Sequence, residues 1–506
     1  MLLHELVDTS VRVSSTRKRS EKVALLADLF SDMAVTEIPV VVGVLSGEPR
    51  QGKIGIGYRT VSGIDTPPVA QPEVSVLDID AAFEQISATG GSGSQADRVG
   101  ILESLLSRCT EAEQGFVKRL LTGGIRQGAL VGLMTDAVAR AAGVATGEVR
   151  RAFMMWPDLG RVAETAMAGG SDGLAEVGLE VMRPIAPMLA KSAKSAAVAV
   201  EAEGLSSVEW KLDGVRIQVH RSGSRVRIFT RNLNDVTDRL TDVVNIVCNL
   251  AADQLVLDGE VMTLTADGKP RPFVEVMSRV GTVEPSAQSA GAVPFFFDVL
   301  HEGGRDLVDL PLSDRYTVLD RVVPPEYRIP RVATDDPIRA EAVLADARAQ
   351  GHEGVMVKRV DSTYEAGRRG ATWLKVKPAH TLDLVVLAVE WGSGRRTGWL
   401  SNIHLGARDP TTGDFVMLGK TFKGMTDKML EWQTERFLEL ETHRDDYIVY
   451  VQPEQVVEIA FDGIQASTRY PGGMALRFAR VKGYREDKNA EEADTIDAVR
   501  SIFDGV

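Results

Sequence analysis

Through most of the first 185 positions, apolar residues recur three and four apart. LHELVDTSVRVSSTRKRSEKVALLADLFSDM and RVGILESLLSRCTEAEQGFVKRLLTGGIRQGALVGLMTDAVARAAG both follow this spacing, which predicts helices. Gly123-Gly124 breaks the second run, and SATGGSGSQADR, residues 87–98, reads as a flexible surface loop inside the helical unit. The composition shifts at residues 182–190, MRPIAPMLA, where two prolines precede an Ala/Ser-rich helix. From Leu205 onward the period becomes two. LVLDGEVMTL, VPFFFDVLH, EGVMVKRV and TWLKVKPA read as strands, with helical segments such as LSDRYTVLDRVV and IRAEAVLADARAQG between them. From Thr381 on, TLDLVVLAVEW, NIHLGAR, DFVMLGKTF, VVEIAFDGIQ and LRFARVKGY are short strands, interrupted by the helix TDKMLEWQTERFLELE. Five strands with an inserted helix fit a small Greek-key β-barrel of the OB-fold type. The pattern predicts a multi-domain chain: residues 1–185 all-α, residues 186–380 mixed α+β, and residues 381–506 the C-terminal barrel.

One stretch organises the middle domain. Residues 208–230, VEWKLDGVRIQVHRSGSRVRIFT, read as a β-hairpin. Val215, Ile217 and Val219 alternate with Arg216, Gln218 and His220; a Ser-Gly-Ser turn follows; Val226 and Ile228 then alternate with Arg225 and Arg227. Carried backward, the same alternation puts Glu209, Lys211 and Asp213 on one face and Trp210 and Leu212 on the other. Such an E-x-K-x-D pattern is more often a solvated charged face. Here, however, strand after strand ends an apolar run on charge: Glu260 in LVLDGEVM, Glu353 ahead of GVMVKRV, and Trp373, Lys375 and Lys377 on one face of TWLKVKPA, while Arg231 closes the hairpin.

The chain has 506 residues, enough for two to four domains. No apolar run of about 18 residues is present, and the N-terminus lacks the basic start and apolar core of a signal peptide, so a cytoplasmic location is expected. The two cysteines, Cys109 and Cys248, suit a reducing compartment and cannot build a four-thiolate zinc site. A net charge of −13 weighs against nucleic acid as a partner, but a local basic face can bind phosphates inside an acidic protein. Two basic patches lie beside glycines: residues 49–53, PRQGK, and Lys118-Arg119 through Gly124, Arg126 and Gly128. A Gly-Gly break before a helix suits phosphate-backbone contact. Read locally, an ordinary helical turn with exposed basic residues explains it as well.

The chemistry follows from residue types. Carboxylates without histidine or thiol neighbours suit Mg²⁺ or Mn²⁺ rather than zinc. Converging lysines and arginines suit phosphate oxygens. No G-x-x-x-x-G-K-[ST] and no strand-to-helix G-x-G-x-x-G occurs, so ATP use would need another scaffold. A nucleophilic lysine attacking an α-phosphate, with release of pyrophosphate, is one such route.

EWKLDGVR resembles motif I of the covalent nucleotidyltransferases. TRNLNDVT resembles motif Ia, LVLDGEV motif III, VPFFFDVL motif IIIa, EGVMVKR motif IV, TWLKVKP motif V and LRFARVKGYREDK motif VI. In order and spacing the set is similar to the ATP-dependent DNA ligases, in their three-domain form with an N-terminal DNA-binding domain, over essentially the whole chain. One departure is Ala479, where the family often has proline after Arg-Phe.

The resemblance implies a helical DNA-binding domain, a nucleotidyltransferase (adenylation) domain and an OB-fold domain. Lys211 would be the adenylylated nucleophile. Glu209 would accept from the adenine amino group, and Phe297 would stack on the base. Arg216 and Glu260 would hold the ribose and the lysine side of the site, Arg231 the phosphate or the nick, and Arg369, Lys375 and Lys377 the nucleotide phosphates. Glu260 and Glu353 would ligate the metal. Arg485, Asp487 and Lys488 would orient the pyrophosphate, and Lys118, Arg119, Gly124 and Arg126 would contact the DNA backbone. The implied cofactors are ATP and Mg²⁺, with Mn²⁺ as a substitute. The implied partner is nicked double-stranded DNA, bound by a monomer whose three domains close as a ring around it. No membrane contact is expected, nothing in the sequence indicates a sliding-clamp contact, and the nucleoid of a bacterial cytoplasm is the expected setting. An RNA ligase or an mRNA capping guanylyltransferase shares motif I and is the alternative enzyme. A catalytically dead DNA-binding or clamp-interacting protein is the alternative of another class. NAD-dependent ligases are disfavoured, because two cysteines cannot form their zinc module.

Overall fold

The structure is a computed structural model and describes residues 1–52, 54–91, 93–125, 131–265, 268–271, 276, 291–365, 369–377 and 380–504. Helices run from Leu3–Ser15 to Leu159–Ala175. The helix Glu111–Leu121 illustrates why: Thr110 Oγ1 accepts from Glu113 N (3.4 Å), Glu113 accepts from Thr110 N (2.7 Å), and Phe116, Val117 and Leu120 form its buried stripe. It stops where Gly123 takes a φ of 69°. The expected loop at residues 87–98 is shorter than its composition suggests. Helix Val76–Ala88 enters it from one side and Ser94–Leu106 begins inside it. Gly93, at φ 87°, lets the chain enter that helix, and Asp97 in the first turn favours its N-terminus.

Ten strands follow in the first compact unit, residues 1–376, among the described residues: β1 (Leu189–Ser192), β2 (Ser206–Lys211), β3 (Val215–Ser222), β4 (Arg225–Thr230), β5 (Gln254–Thr263), β6 (Ala292–Glu302), β7 (Arg305–Asp306), β8 (Arg331–Thr334), β9 (Gly354–Arg359) and β10 (Arg369–Val376). They form two five-stranded sheets, β1-β10-β9-β2-β8 and β4-β3-β5-β6-β7. Each sheet buries one apolar face under two helices. In the first, Val208, Val355 and Val357 pack on Ala199, Val200, Ala340 and Leu344. In the second, Ile217, Val219, Leu257 and Phe296 pack on Val243, Val247, Leu312 and Leu319.

The expected β3–β4 hairpin forms, with Ser222 paired to Arg225 so that the turn is Gly223-Ser224 alone. Its backward extension does not hold. β2 belongs to the other sheet, and the chain crosses between sheets at residues 212–214. Gly214 permits the crossing, since a Cβ there would stand 2.4 Å from Val261 O and 2.9 Å from Glu260 Cγ.

Gln218 and His220 of β3 are also buried, and Arg216 largely so, which alternation alone did not predict. They hold residues 182–188, the segment leading from the helices to the sheets. His220 Nδ1 accepts from Met182 N (3.1 Å), and Gln218 Oε1 accepts from Ile185 N (2.8 Å). Arg216 Nη1 donates to Met188 O (2.6 Å). Because Nδ1 accepts, His220 carries its proton on Nε2, which lies 2.9 Å from Gln218 Oε1. Burial, with Arg227 nearby, lowers its pKa to about 3. In β6, Asp298 is bound bidentately by Arg315 (2.8 and 3.0 Å), both side chains fully buried.

The second compact unit, residues 377–506, is rich in strands: β11 (His380–Trp391), β12 (Leu400–Arg408), β13 (Phe415–Thr421), β14 (Glu441–Asp445), β15 (Ile448–Val451), β16 (Val456–Phe461), β17 (Gly463–Ala466), β18 (Met474–Arg477) and β19 (Arg480–Tyr484), with a helix at Asp427–Glu439. The five expected strands are an undercount. The β14–β15 hairpin was not expected, and the last two predicted strands each divide. Phe478, at φ 55°, breaks the final one between β18 and β19. The long β11 pairs with β12, β15 and β16, and β17 and β18 pair apart as a ribbon.

Two outcomes follow. Arg315→Met leaves the Asp298 carboxylate buried and unpaired, at a cost of about 3–5 kcal/mol; denaturant titration checks it, and a loss under about 1 kcal/mol would contradict it. His220, with its folded pKa depressed from 6.5 to about 3, binds its proton more readily when unfolded. Its share of stability is therefore complete above pH 6.5 and declines as pH falls toward 3. Between pH 6.5 and 5 the thermal midpoint of a His220→Gln variant should fall less than that of the unaltered chain.

Candidate active site

Period two explains the site. On β2, Glu209 and Lys211 face away from the helices; opposite them on β9 are Met356 and Gly354, with Lys358 opposite Ser207. On β10, Lys375 pairs with Met356 and Trp373 with Lys358. These residues share one face. The second sheet turns its helix-free face to the same space. Arg216 on β3 pairs with Glu260 on β5. The β5–β6 register jumps between Asp258↔Asp298 and Gly259↔Phe296, so Phe297 is the extra residue of a bulge and its ring is aimed at the pocket. Gly259 accommodates the bulge, since a Cβ there would meet Phe296 at 2.8 Å.

The resulting pocket, about 770 Å³, is lined by Lys211, Glu209, Arg216, Arg231, Glu260, Phe297, Glu353 and Lys375 among others. Its size suits a nucleotide. The Lys211 ammonium donates to Glu353 Oε2, and Glu353 N donates to Lys211 O at 3.1 Å. Burial raises the pKa of Glu260 to about 7, against the pull of Lys211 and Arg216. Arg216 is held bidentately by Asp258 (3.0 and 2.6 Å), and the Tyr364 hydroxyl donates to the same carboxylate (2.8 Å). Arg231 and Lys375 are exposed at the pocket wall. Glu209 is buried. It accepts from the Tyr316 hydroxyl and from Ser207 Oγ (3.3 Å), and Lys358 Nζ lies 2.6 Å from its other oxygen. Burial beside Glu209 keeps the Tyr316 phenol well above its ordinary pKa, and therefore a donor. Lys358 stands 4.3 Å from the Phe297 ring centre and 4.2 Å from that of Trp373.

Eight of the residues expected from sequence thus share one pocket. β10 begins at Arg369, whose side chain lies outside the described residues. Lys377 belongs to the second unit, 3.7 Å from Asp462. There too, Arg485 is bidentate to Asp487 (2.8 and 2.6 Å), and Arg485 and Lys488 both bind Asp383 (3.0 and 2.7 Å). In the helical region, Lys118 Nζ donates to Ile64 O (2.7 Å), Arg119 and Gly124 are exposed, and Arg126 lies outside the described residues. Sequence reading missed Lys358, Tyr316, Asp258 and Tyr364. The parity that grouped Trp373 with Lys375 would have found Lys358, two residues beyond Met356. Tyr316 lies on a helix and reaches Glu209 only through the fold.

Three family models match the chain: DNA ligase N terminus over residues 58–139, ATP dependent DNA ligase domain over 187–377, and ATP dependent DNA ligase C terminal region over 396–488. A probable DNA ligase of Pseudarthrobacter chlorophenolicus is 53% identical over 99% of this chain and 100% of its own length. One of Saccharopolyspora erythraea is 52% identical over 99% of this chain and 98% of its own length. The solved structure of Pmar-Lig_PreS3 has the same fold, with a TM-score of 0.60 at 19% identity over 95% of this chain and 99% of that one. With its full-length relatives and a helical region, a nucleotidyltransferase domain and a strand-rich C-terminal region in order, the chain belongs to the ATP-dependent DNA ligase family.

Proposed function

We propose that this enzyme seals nicks in duplex DNA through a lysyl-AMP intermediate on Lys211. The observation that carries the reading is the amine of Lys211, held by Glu353 inside a pocket walled by Arg216, Arg231, Glu260, Phe297 and Lys375. In the first step the amine gives up a proton and attacks the α-phosphorus of ATP. A phosphorus–nitrogen bond forms, the α–β phosphoanhydride bond breaks, and pyrophosphate leaves. In the second, the 5′-phosphate of the nick attacks the same phosphorus and frees the lysine. In the third, the 3′-hydroxyl attacks the 5′-phosphorus and AMP leaves.

This chain's residues supply position and charge rather than bond chemistry. Glu353 fixes the amine. Phe297 offers a ring face to the base, and Glu209, held by Lys358 and Tyr316, accepts from the adenine amino group. Lys375 and Arg369 meet the phosphates, with Lys377 assisting, and Arg231 meets the nick. Arg485, Asp487 and Lys488 orient the leaving pyrophosphate. Among the described residues no group of three or more metal-ligating side chains forms a closed cage. A hard cation shared with phosphate oxygens needs only one or two carboxylates, and the donor pair Glu260 and Glu353 fits that. Mg²⁺ bound there would offset phosphate charge. Residues 1–185 would bind the duplex backbone through Lys118, Arg119, Gly124 and Arg126, residues 186–380 carry the adenylation chemistry, and residues 381–506 form an OB-fold; the enzyme acts as a monomer.

Lys211→Ala should transfer no label from α-labelled ATP, read by gel and intact mass. With the unaltered chain, GTP should label at least about 100-fold more slowly, because a site built to accept from an amino group meets the guanine carbonyl instead. Equal labelling by GTP, or labelling of the alanine variant, would remove the assignment. If about six phosphates are neutralised, affinity for nicked duplex should fall about 10³-fold between 50 and 200 mM salt, alike for unrelated sequences; a flat salt response would count against backbone recognition.

A further inference from the structure

In the second unit one buried carboxylate organises the cations of the C-terminal motif. Asp383, on β11, is 8% exposed. Its backbone is pinned on both sides: N donates to Asp494 Oδ2 (2.7 Å), and O accepts from Asp494 N (2.8 Å). Its Oδ2 accepts from Arg485 Nη1 (3.0 Å) and Lys488 Nζ (2.7 Å). These two cations come from the irregular segment past β19. That segment is tied down by Arg485 N to Val456 O (2.9 Å) and Lys488 N to Arg485 O (3.3 Å). Asp487 takes the other edge of the Arg485 guanidinium.

A surface ion pair contributes little, but a carboxylate removed from water depends on its cations. The donor count matters as much. A guanidinium has five N–H donors, and Arg485 uses three on the two aspartates; an ammonium has three, and Lys488 gives one to Asp383. Both side chains, about a third exposed, keep donors directed elsewhere while their positions are fixed. Two like charges would otherwise repel, and two long side chains would each lose rotamer freedom on meeting a polyphosphate.

We propose that Asp383 is a positioning residue for the first step: it holds Arg485 and Lys488 as a ready-made pair for the departing pyrophosphate. This rests on the reading of those two cations given above. Pyrophosphate leaves only when lysyl-AMP forms, so Asp383 matters for that step and not for joining a nick that already carries AMP.

The test uses the full chain in two assays, label transfer from α-labelled ATP and sealing of a pre-adenylylated nick without ATP. Asp383→Asn should slow lysyl-AMP formation by about tenfold or more and leave sealing within about twofold. Asp383→Glu, which keeps the charge, should recover part of the first step. Equal losses in both assays would mean a merely structural role, and no loss in the first would remove the proposal outright. An Arg485→Ala/Lys488→Ala double variant separates the two readings. If it forms lysyl-AMP normally, the assignment of the cations fails and the proposal with it. If it is slow while Asp383→Asn is not, only Asp383 is wrongly assigned.

Discussion

Between Lys211 and Val215 the chain leaves one sheet and enters another, and the pocket exists because it does. Every other contribution is measured from that crossing. β2 delivers Glu209 and Lys211 from one wall, and β3 delivers Arg216 from the opposite wall five residues later. Only residues 212–214 make the crossing, and they run tight against β5, where a Cβ at Gly214 would stand 2.4 Å from Val261 O. A side chain at that point would collide with β5 and displace the crossing that carries Lys211 toward Arg216. The Lys211–Glu353 pair then fixes the amine along the remaining direction, since Glu353 also returns a backbone hydrogen bond to Lys211.

The division of labour between faces follows from the same geometry. Each sheet spends its apolar face on two helices, and its other face is left for chemistry. Polar and aromatic groups on those faces are not idle solvent contacts. Arg315 locks Asp298 beside the bulge that presents Phe297, so a buried ion pair sets where that ring stands. Lys358 is shared between Glu209 and two ring faces, which ties that carboxylate to the aromatic wall.

Much of this was legible in the order of residues, because strands report their faces by simple alternation. Lys211, Glu260, Lys375 and the short runs that carry them could be found without coordinates. What could not be read was the sheet each strand would join. The phase of the alternation inverts at Gly214, with polar residues at odd positions before it and at even positions after it, and the chain changes sheets there. Nor does alternation say which polar positions are dry: Gln218 and His220 look solvent-facing and are buried against residues 182–188. In the C-terminal unit, Phe478 at positive φ split a run that composition presented as one strand. Asp383 carried no local signal at all, since its partners lie about a hundred residues away.

The ring formed by Arg216, Asp258, Tyr364 and Met188 closes on itself: the arginine grips the aspartate and the Met188 carbonyl, the tyrosine donates to the aspartate, and Met188 N donates to the tyrosine at 3.0 Å. Two of its four links join side chain to side chain, two join a side chain to the Met188 backbone, and the members come from four separate stretches of sequence. In evolutionary terms the members are locked to one another. A change at position 216, 258 or 364 takes a hydrogen-bond partner from at least two buried polar groups, so drift at any one is tolerated only with compensation at the others. Across descendants these three positions should therefore vary together or stand still.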